Sequence, residues 1–139
     1  MIEIAKEQAQ KAFRKGEVPV GAVIVRDGKI VAKKRNKKEK KQRAIKHAEI
    51  LAIDKANKKL GSWRLDDCEM FVTHLPCPMC AGAIVGARIK KVTVGASNDE
   101  QPLIEKIFSE NKQNHKTELV VLNDEGCTKL MKDFFKKLR

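Results

Sequence analysis

The spacing of apolar residues changes several times along the chain, and each change marks an element. Ile4, Ala5, Ala9, Ala12 and Phe13 recur at helical intervals between Ile2 and Lys15, and Gly16 closes that helix. From Val18 to Val25 the pattern becomes β-branched and strand-like. Asp27-Gly28 is a hairpin turn, and Ile30 to Arg35 reads as the returning, antiparallel strand. Ile45, Ala48, Ile50, Leu51, Ile53 and Ala56 predict a mostly buried helix that ends near Leu60-Gly61 and holds His47 in its first turn. Cys68 to Thr73 is a third strand, stopped by Pro76 before a helix through Ala81, Ala83, Ile84 and Val85. A short strand from Lys91 to Gly95, a helix from Pro102 to Phe108 and a fifth strand from Thr117 to Leu122 follow. The last helix, Asp124 to Leu138, carries Leu130, Met131, Phe134 and Leu138 on one side. Strands alternating with helices predict an α/β fold, a central sheet covered by helices.

Composition narrows this picture. The 139 residues are expected to form one domain, 1–139, with a core of Ile, Val, Leu and Ala, because Tyr is absent and Trp occurs once. No apolar run approaches the length that spans a bilayer, and the N-terminus lacks the charged-then-apolar shape of a secretory signal. A cytoplasmic protein with no membrane partner is therefore expected. In a reducing compartment the four cysteines are assigned to metal binding and packing rather than to disulfides.

Two of those cysteines lie in Pro76-Cys77-Pro78-Met79-Cys80, thirty positions after His47-Ala48-Glu49. A C-x-x-C pair alone can be a redox couple or half of a structural zinc knuckle. Joined to one imidazole it makes three zinc ligands, which leaves the fourth tetrahedral position open to water, as in a catalytic site. Cys68, Cys127, His74 and His115 form no second ligand pair that would close the site. His47, Cys77 and Cys80 are thus the candidate ligands of one Zn2+, and Glu49 is the candidate proton shuttle. The pattern H-x-E…P-C-x-x-C is the established signature of zinc-dependent base deaminases. A backbone N–H near Ala48 is placed to hold the edge of a base.

Charge adds a partner. Thirty Lys and Arg against eighteen Asp and Glu give a formal net charge of +12. Nine bases and one acid, Glu39, fall between Lys33 and Lys46, a run that ends beside the first candidate ligand. Such a run can be a solvated loop. Its position next to the site instead assigns Lys37, Lys38, Lys40, Lys41 and Arg43 to phosphates that flank a target base.

Several stretches together resemble one family. They are Glu17-Val18-Pro19-Val20-Gly21-Ala22-Val23, His47-Ala48-Glu49-Ile50, Pro76-Cys77-Pro78-Met79-Cys80-Ala81-Gly82-Ala83, Ala87-Arg88-Ile89, Asn114-His115 and Asp133-Phe134-Phe135-Lys136-Lys137-Leu138. In order and over nearly the whole chain, they are similar to the bacterial tRNA-specific adenosine deaminases of the cytidine-deaminase-like superfamily. The resemblance implies a three-layer fold with a five-stranded mixed sheet between helices, a homodimer, and a tRNA anticodon stem-loop as substrate. It implies hydrolysis of adenosine to inosine at the wobble position, and it makes Asn36 the pocket residue that contacts the purine. Asn114 and His115 enter the substrate-binding set through the same resemblance.

The chain departs from the family pattern in three places: Ala44-Ile45-Lys46 replaces Pro-Thr-Ala, Thr73-His74-Leu75 replaces Thr-Leu-Glu, and 96–103 lacks a glycine-containing loop. A deaminase of a free nucleobase, nucleoside or nucleotide of cytidine, deoxycytidylate or guanine type would use the same zinc and Glu49 without needing the basic run.

Overall fold

In the computed structural model, which describes residues 1–138, the chain begins with helix α1 (Ile2–Arg14). α1 buries Ala5, Ala9 and Ala12, small residues that allow a close approach to the sheet. The approach is tightest at Gly21, where a Cβ would overlap the Ala5 carbonyl, so the contact requires glycine. The following elements are β1 (Gly21–Arg26), β2 (Lys29–Arg35), a short helix α2 (Lys38–Lys41), α3 (Ala48–Leu60) and β3 (Cys68–His74). α4 (Pro78–Gly86), β4 (Lys91–Ala96), α5 (Gln101–Ser109), β5 (Glu118–Val121) and α6 (Glu125–Lys137) complete the chain.

The strands form one mixed sheet in the order β2-β1-β3-β4-β5. β1 is antiparallel to both β2 and β3, whereas β3, β4 and β5 run parallel. α1 and α6 pack on one face, and α3, α4 and α5 cover the other. The alternation of β1 serves both layers. Ala22 and Ile24 join the larger core with Ala48, Ala52, Met70, Val72, Ile84 and Phe108, while Val23 and Val25 meet Ala5 under α1. No helix among the described residues is long and apolar enough to cross a membrane.

Each predicted helix and strand is present, with ends shifted by a residue or two in most cases. Three differences bear on the site. Val18–Val20 is a loop and not the start of β1: Pro19 has no N–H to give a ladder, and the Val20 amide turns back to the Val18 carbonyl at 2.8 Å. The basic segment, read from sequence as a loop, contains α2. Finally, α3 starts at Ala48. His47 precedes it in an extended conformation, φ −76° and ψ 151°, as its N-cap residue. The Lys37 amide bonds the Lys46 carbonyl at 3.0 Å, which ties the residues before His47 into a closed loop and leaves Ile45 53% exposed.

Candidate active site

Parallel β3 delivers the chain to the site at its C-terminal end. After His74 the chain passes Leu75, whose amide is fixed on the Ala96 carbonyl at 2.8 Å, and reaches Cys77, the N-cap residue of α4. Pro78 in the first turn of α4 leaves no backbone donor wasted there. Cys80 follows one turn later and is fully buried. From the adjoining strand, the Gly21 amide donates to Thr73 Oγ1 at 3.1 Å, so the start of β1 is locked to the end of β3. The end of β2 lies opposite the start of β1, Arg35 against Gly21, and brings Asn36 to the same end of the sheet.

His47 at the head of α3 meets Cys77 and Cys80 at the head of α4. Its Nδ1 lies 3.7 Å from Cys77 Sγ and 3.5 Å from Cys80 Sγ, and the three ligand atoms fall within 4.8 Å of one another. Cys77 is held down to about 5, first by the Cys80 thiol that donates to it; Cys80 is correspondingly pushed up. A divalent cation bound between the two sulfurs would displace the thiol proton and hold both as thiolates. One imidazole nitrogen and two sulfurs around a common point fit zinc, with one tetrahedral position left for a ligand from the cavity.

Glu49, in the first turn of α3, is buried at 4% exposure. Burial pushes its carboxyl up to about 7; the Cys77 charge adds to this, while its own amide and the Cys80 thiol act against it. A carboxyl poised near neutrality can both take and return a proton at physiological pH.

A cavity of about 210 Å³ opens onto these groups. His47, Ala48, Glu49 and Cys77 form its reactive side, Val18, Val20 and Leu75 are its apolar walls, and Asn36 and Lys38 complete the lining. Asn36 is buried, its amide held by the Val20 carbonyl at 3.1 Å, and its Oδ1 has no hydrogen-bond partner. A buried acceptor without a donor is costly unless something else supplies one.

The structure does not bring every candidate residue here. Of the basic segment, Lys38 alone lines this cavity; Lys37 and Lys40 line a neighbouring one, and Lys41 and Arg43 are exposed. Asn114 and His115 are placed elsewhere. His115 Nε2 donates to the Ile89 carbonyl at 2.9 Å, ahead of β4 and so at the opposite end of the parallel strands, and Asn114 turns the chain with φ +53°. The His115 bond fastens a loop, which the pair of residue types did not reveal. Cys68 and Cys127 are buried and outside the ligand group, and burial pushes Cys127 up to about 12.

Sequence reasoning gave no role to Val18, Val20 and Leu75, or to Glu17. The signal available was Val-Pro-Val directly before a strand, since a proline-held extended loop turns alternate side chains to one side. Glu17 is 3% exposed, and its carboxylate accepts the Glu39 amide at 3.0 Å as well as a second amide of α2.

Over residues 1–139 the chain matches the family described as MafB19-like deaminase. It is 45% identical to the tRNA-specific adenosine deaminase of Bacillus subtilis, over 97% of this chain and 86% of that protein. The chain belongs to the tRNA-specific adenosine deaminase family. Among solved structures it superposes, with a TM-score of 0.87 and 33% identity, on one from a study of A-to-I editing by tRNA:A34 deaminases at the wobble position of transfer RNA. That match covers 93% of this chain and 96% of the other. A guanine deaminase from Bacillus subtilis is also similar, with 40% identity and a TM-score of 0.68 over 73% of this chain and 66% of that one. The mixed five-stranded sheet between two helical layers is accordingly the cytidine-deaminase-like fold.

Proposed function

We propose that residues 1–139 act as one zinc-dependent deaminase domain that converts adenosine to inosine at the wobble position of a tRNA anticodon. The observation that carries this reading is the shared cavity: His47 and Cys77 of the three-residue zinc-type group, a buried carboxyl pushed up to about 7, and Asn36 with its unpaired acceptor all line one space, with Cys80 buried behind it. About 210 Å³ suits a single base, and an anticodon base is unpaired, so turning it into the cavity costs far less than extracting it from a duplex.

When bound at His47, Cys77 and Cys80, one zinc per chain supplies a Lewis acid that brings the pKa of water toward neutrality. Glu49 takes a proton from the attacking water and passes it to N1 of the purine as oxygen adds at C6. It then carries the second proton to the amino group, and the C6–N bond breaks to release ammonia and leave inosine. Asn36 Oδ1 accepts from the base or its ribose and fixes its orientation. The Ala48 amide, at the open N-terminus of α3, donates to the base edge. Val18, Val20 and Leu75 exclude water from the ring faces. Lys37, Lys38, Lys40, Lys41 and Arg43 draw in the phosphates of the loop from outside.

A homodimer in the cytoplasm completes this reading. α4 holds no charged residue in a chain that is 35% charged, yet Pro78, Met79 and Gly82 on it are exposed. A second copy would cover this face. Light scattering of Gly82→Arg, which puts a charge at its centre, should report monomers.

The test of the activity is mass spectrometry of an anticodon stem-loop incubated with the zinc-loaded protein; inosine at the wobble position is the expected product. The similarity to a guanine deaminase favours, as the second reading, deamination of a free base. Turnover of guanine or free nucleosides with an unaltered stem-loop would establish that reading in place of the first.

A further inference from the structure

Two of the basic residues that do not reach the catalytic cavity, Lys37 and Lys40, line another. Between the C-terminal end of α1, the end of β2 and α2 lies a cavity of about 300 Å³ lined by Lys15, Glu17, Arg35, Lys37 and Lys40. Four of these five are cations. No carboxylate among the described residues forms an ion pair with any of them. Glu17, the one acid, is buried and already turned onto the Glu39 and Lys40 amides at 3.0 and 2.7 Å. Arg35 Nε is buried and has no hydrogen-bond partner. Lys37 is held below the ordinary lysine value by burial and then by Arg35, Lys34, Lys40 and Lys41. The fold has gathered like charges at a cost that an anion would relieve, and one guanidinium N–H is left without an acceptor.

The position of this cavity indicates which anion. Val18, Asn36 and Lys38 line the catalytic cavity, while their chain neighbours Glu17, Arg35 and Lys37 line the basic one. Successive residues of the same two segments line one cavity and then the other, so the two cavities adjoin. A nucleic-acid strand with one base in the first would run its backbone past the second. We propose that Lys15, Arg35, Lys37 and Lys40 form a phosphate subsite that receives a backbone phosphodiester of the RNA whose base occupies the catalytic cavity. The inference rests on the RNA reading given above, and it adds Lys15 and Arg35, which no motif singles out.

Two measurements on the zinc-loaded protein test it. The first is the salt dependence of stem-loop binding by the parent, by Lys15→Gln/Arg35→Gln and by the charge-preserving Lys15→Arg/Arg35→Lys. Loss of one phosphate contact on a single strand should lower the log–log slope by about 0.7, with the charge-preserving variant near the parent. The second is NMR titration with inorganic phosphate, which should shift the Lys37 and Lys40 amides in the parent and leave them still in the Gln variant. An unchanged slope with no phosphate-dependent shift overturns the subsite. A phosphate shift with an unchanged slope overturns the phosphodiester assignment and makes the cavity a site for free phosphate. Failure of the parent to form inosine in the stem-loop would count against the RNA reading alone, since the phosphate titration judges the anion site without RNA.

Discussion

The buried carboxylate of Glu17 accepts a hydrogen bond from the backbone amide of Lys40 at 2.7 Å, twenty-three residues away. With the parallel bond from Glu39 it holds α2, a helix of four residues that could not persist alone. Glu17 thereby sets where Lys38 stands at the cavity. Glu17→Ala should expose residues 37–46 to amide exchange at least about tenfold faster than in the parent. Two charge-assisted bonds lost should also cost about 2 kcal/mol or more and lower Tm by several degrees. Mass-detected hydrogen exchange is the direct measurement, and unchanged protection would mean that α2 is held by other contacts.

Metal content separates the cysteines into two pairs. Cys77→Ala and Cys80→Ala should each lose most of the zinc, whereas Cys68→Ala/Cys127→Ala should keep about one ion per chain. Elemental analysis of the purified variants decides, and zinc lost only from the double variant would refute the ligand assignment.

Glu49→Gln keeps the shape of the carboxyl and removes its proton traffic. Zinc and RNA affinity should remain while turnover on the stem-loop falls by about a hundredfold or more. Near-parental turnover in the zinc-loaded variant would assign the shuttle to another group.

The same residue predicts a pH dependence of stability after chelator treatment. Glu49 is raised from 4.5 to about 7 by burial, so its protonated form is the one the fold favours. That contribution is complete below about pH 4.5 and is lost as pH rises through about 7. Thermal melts should show Glu49→Gln gaining more over the parent at pH 8 than at pH 5, with a difference of about 5 °C or more. Equal gains at both pH values would refute the shift.

Gly21 offers a test of the fold independent of chemistry. Gly21→Ala forces a methyl group into the Ala5 carbonyl and against Gln8 and Ala9, all backbone or helix-borne atoms with little room to move. Destabilisation of about 2 kcal/mol or more is expected in urea unfolding. A smaller loss would show that α1 can shift off the sheet.

The sequence was easiest to read where one periodicity ran through a whole element. The β-branched run before Asp27-Gly28 and the stripe on α6 are examples, and so are the zinc-type residues, whose spacing is itself the signal. It was hardest to read where long-range bonds decide local form. Lys38-Glu39-Lys40-Lys41 holds good helix formers but is too short to signal a helix and lacks an apolar stripe; a carboxylate from position 17 fixes it as one. Helical spacing carried the expected start of α3 back to Ile45, but the Lys37–Lys46 bond stops it at Ala48 and leaves His47 free to turn its Nδ1 toward the cysteines. His115 shows the converse, a residue of functional type whose ring bonds the Ile89 carbonyl and fastens a loop there.

β2 is an outer strand of the sheet, so one of its sides presents backbone donors and acceptors to solvent. Lys29, Lys33, Lys34 and Arg35 are spread along that strand, and the basic run thus begins on the border of the sheet before it enters the loop. An open border invites a second molecule to add its own strand, and two borders of equal positive charge repel instead. Like charges on Lys29, Lys33 and Lys34 work against that misassembly, whereas beyond Asn36 only Lys38 of the segment lines the catalytic cavity. Positive charge on the strand thus keeps the border of the sheet from pairing with another copy, whatever the residues after the strand bind.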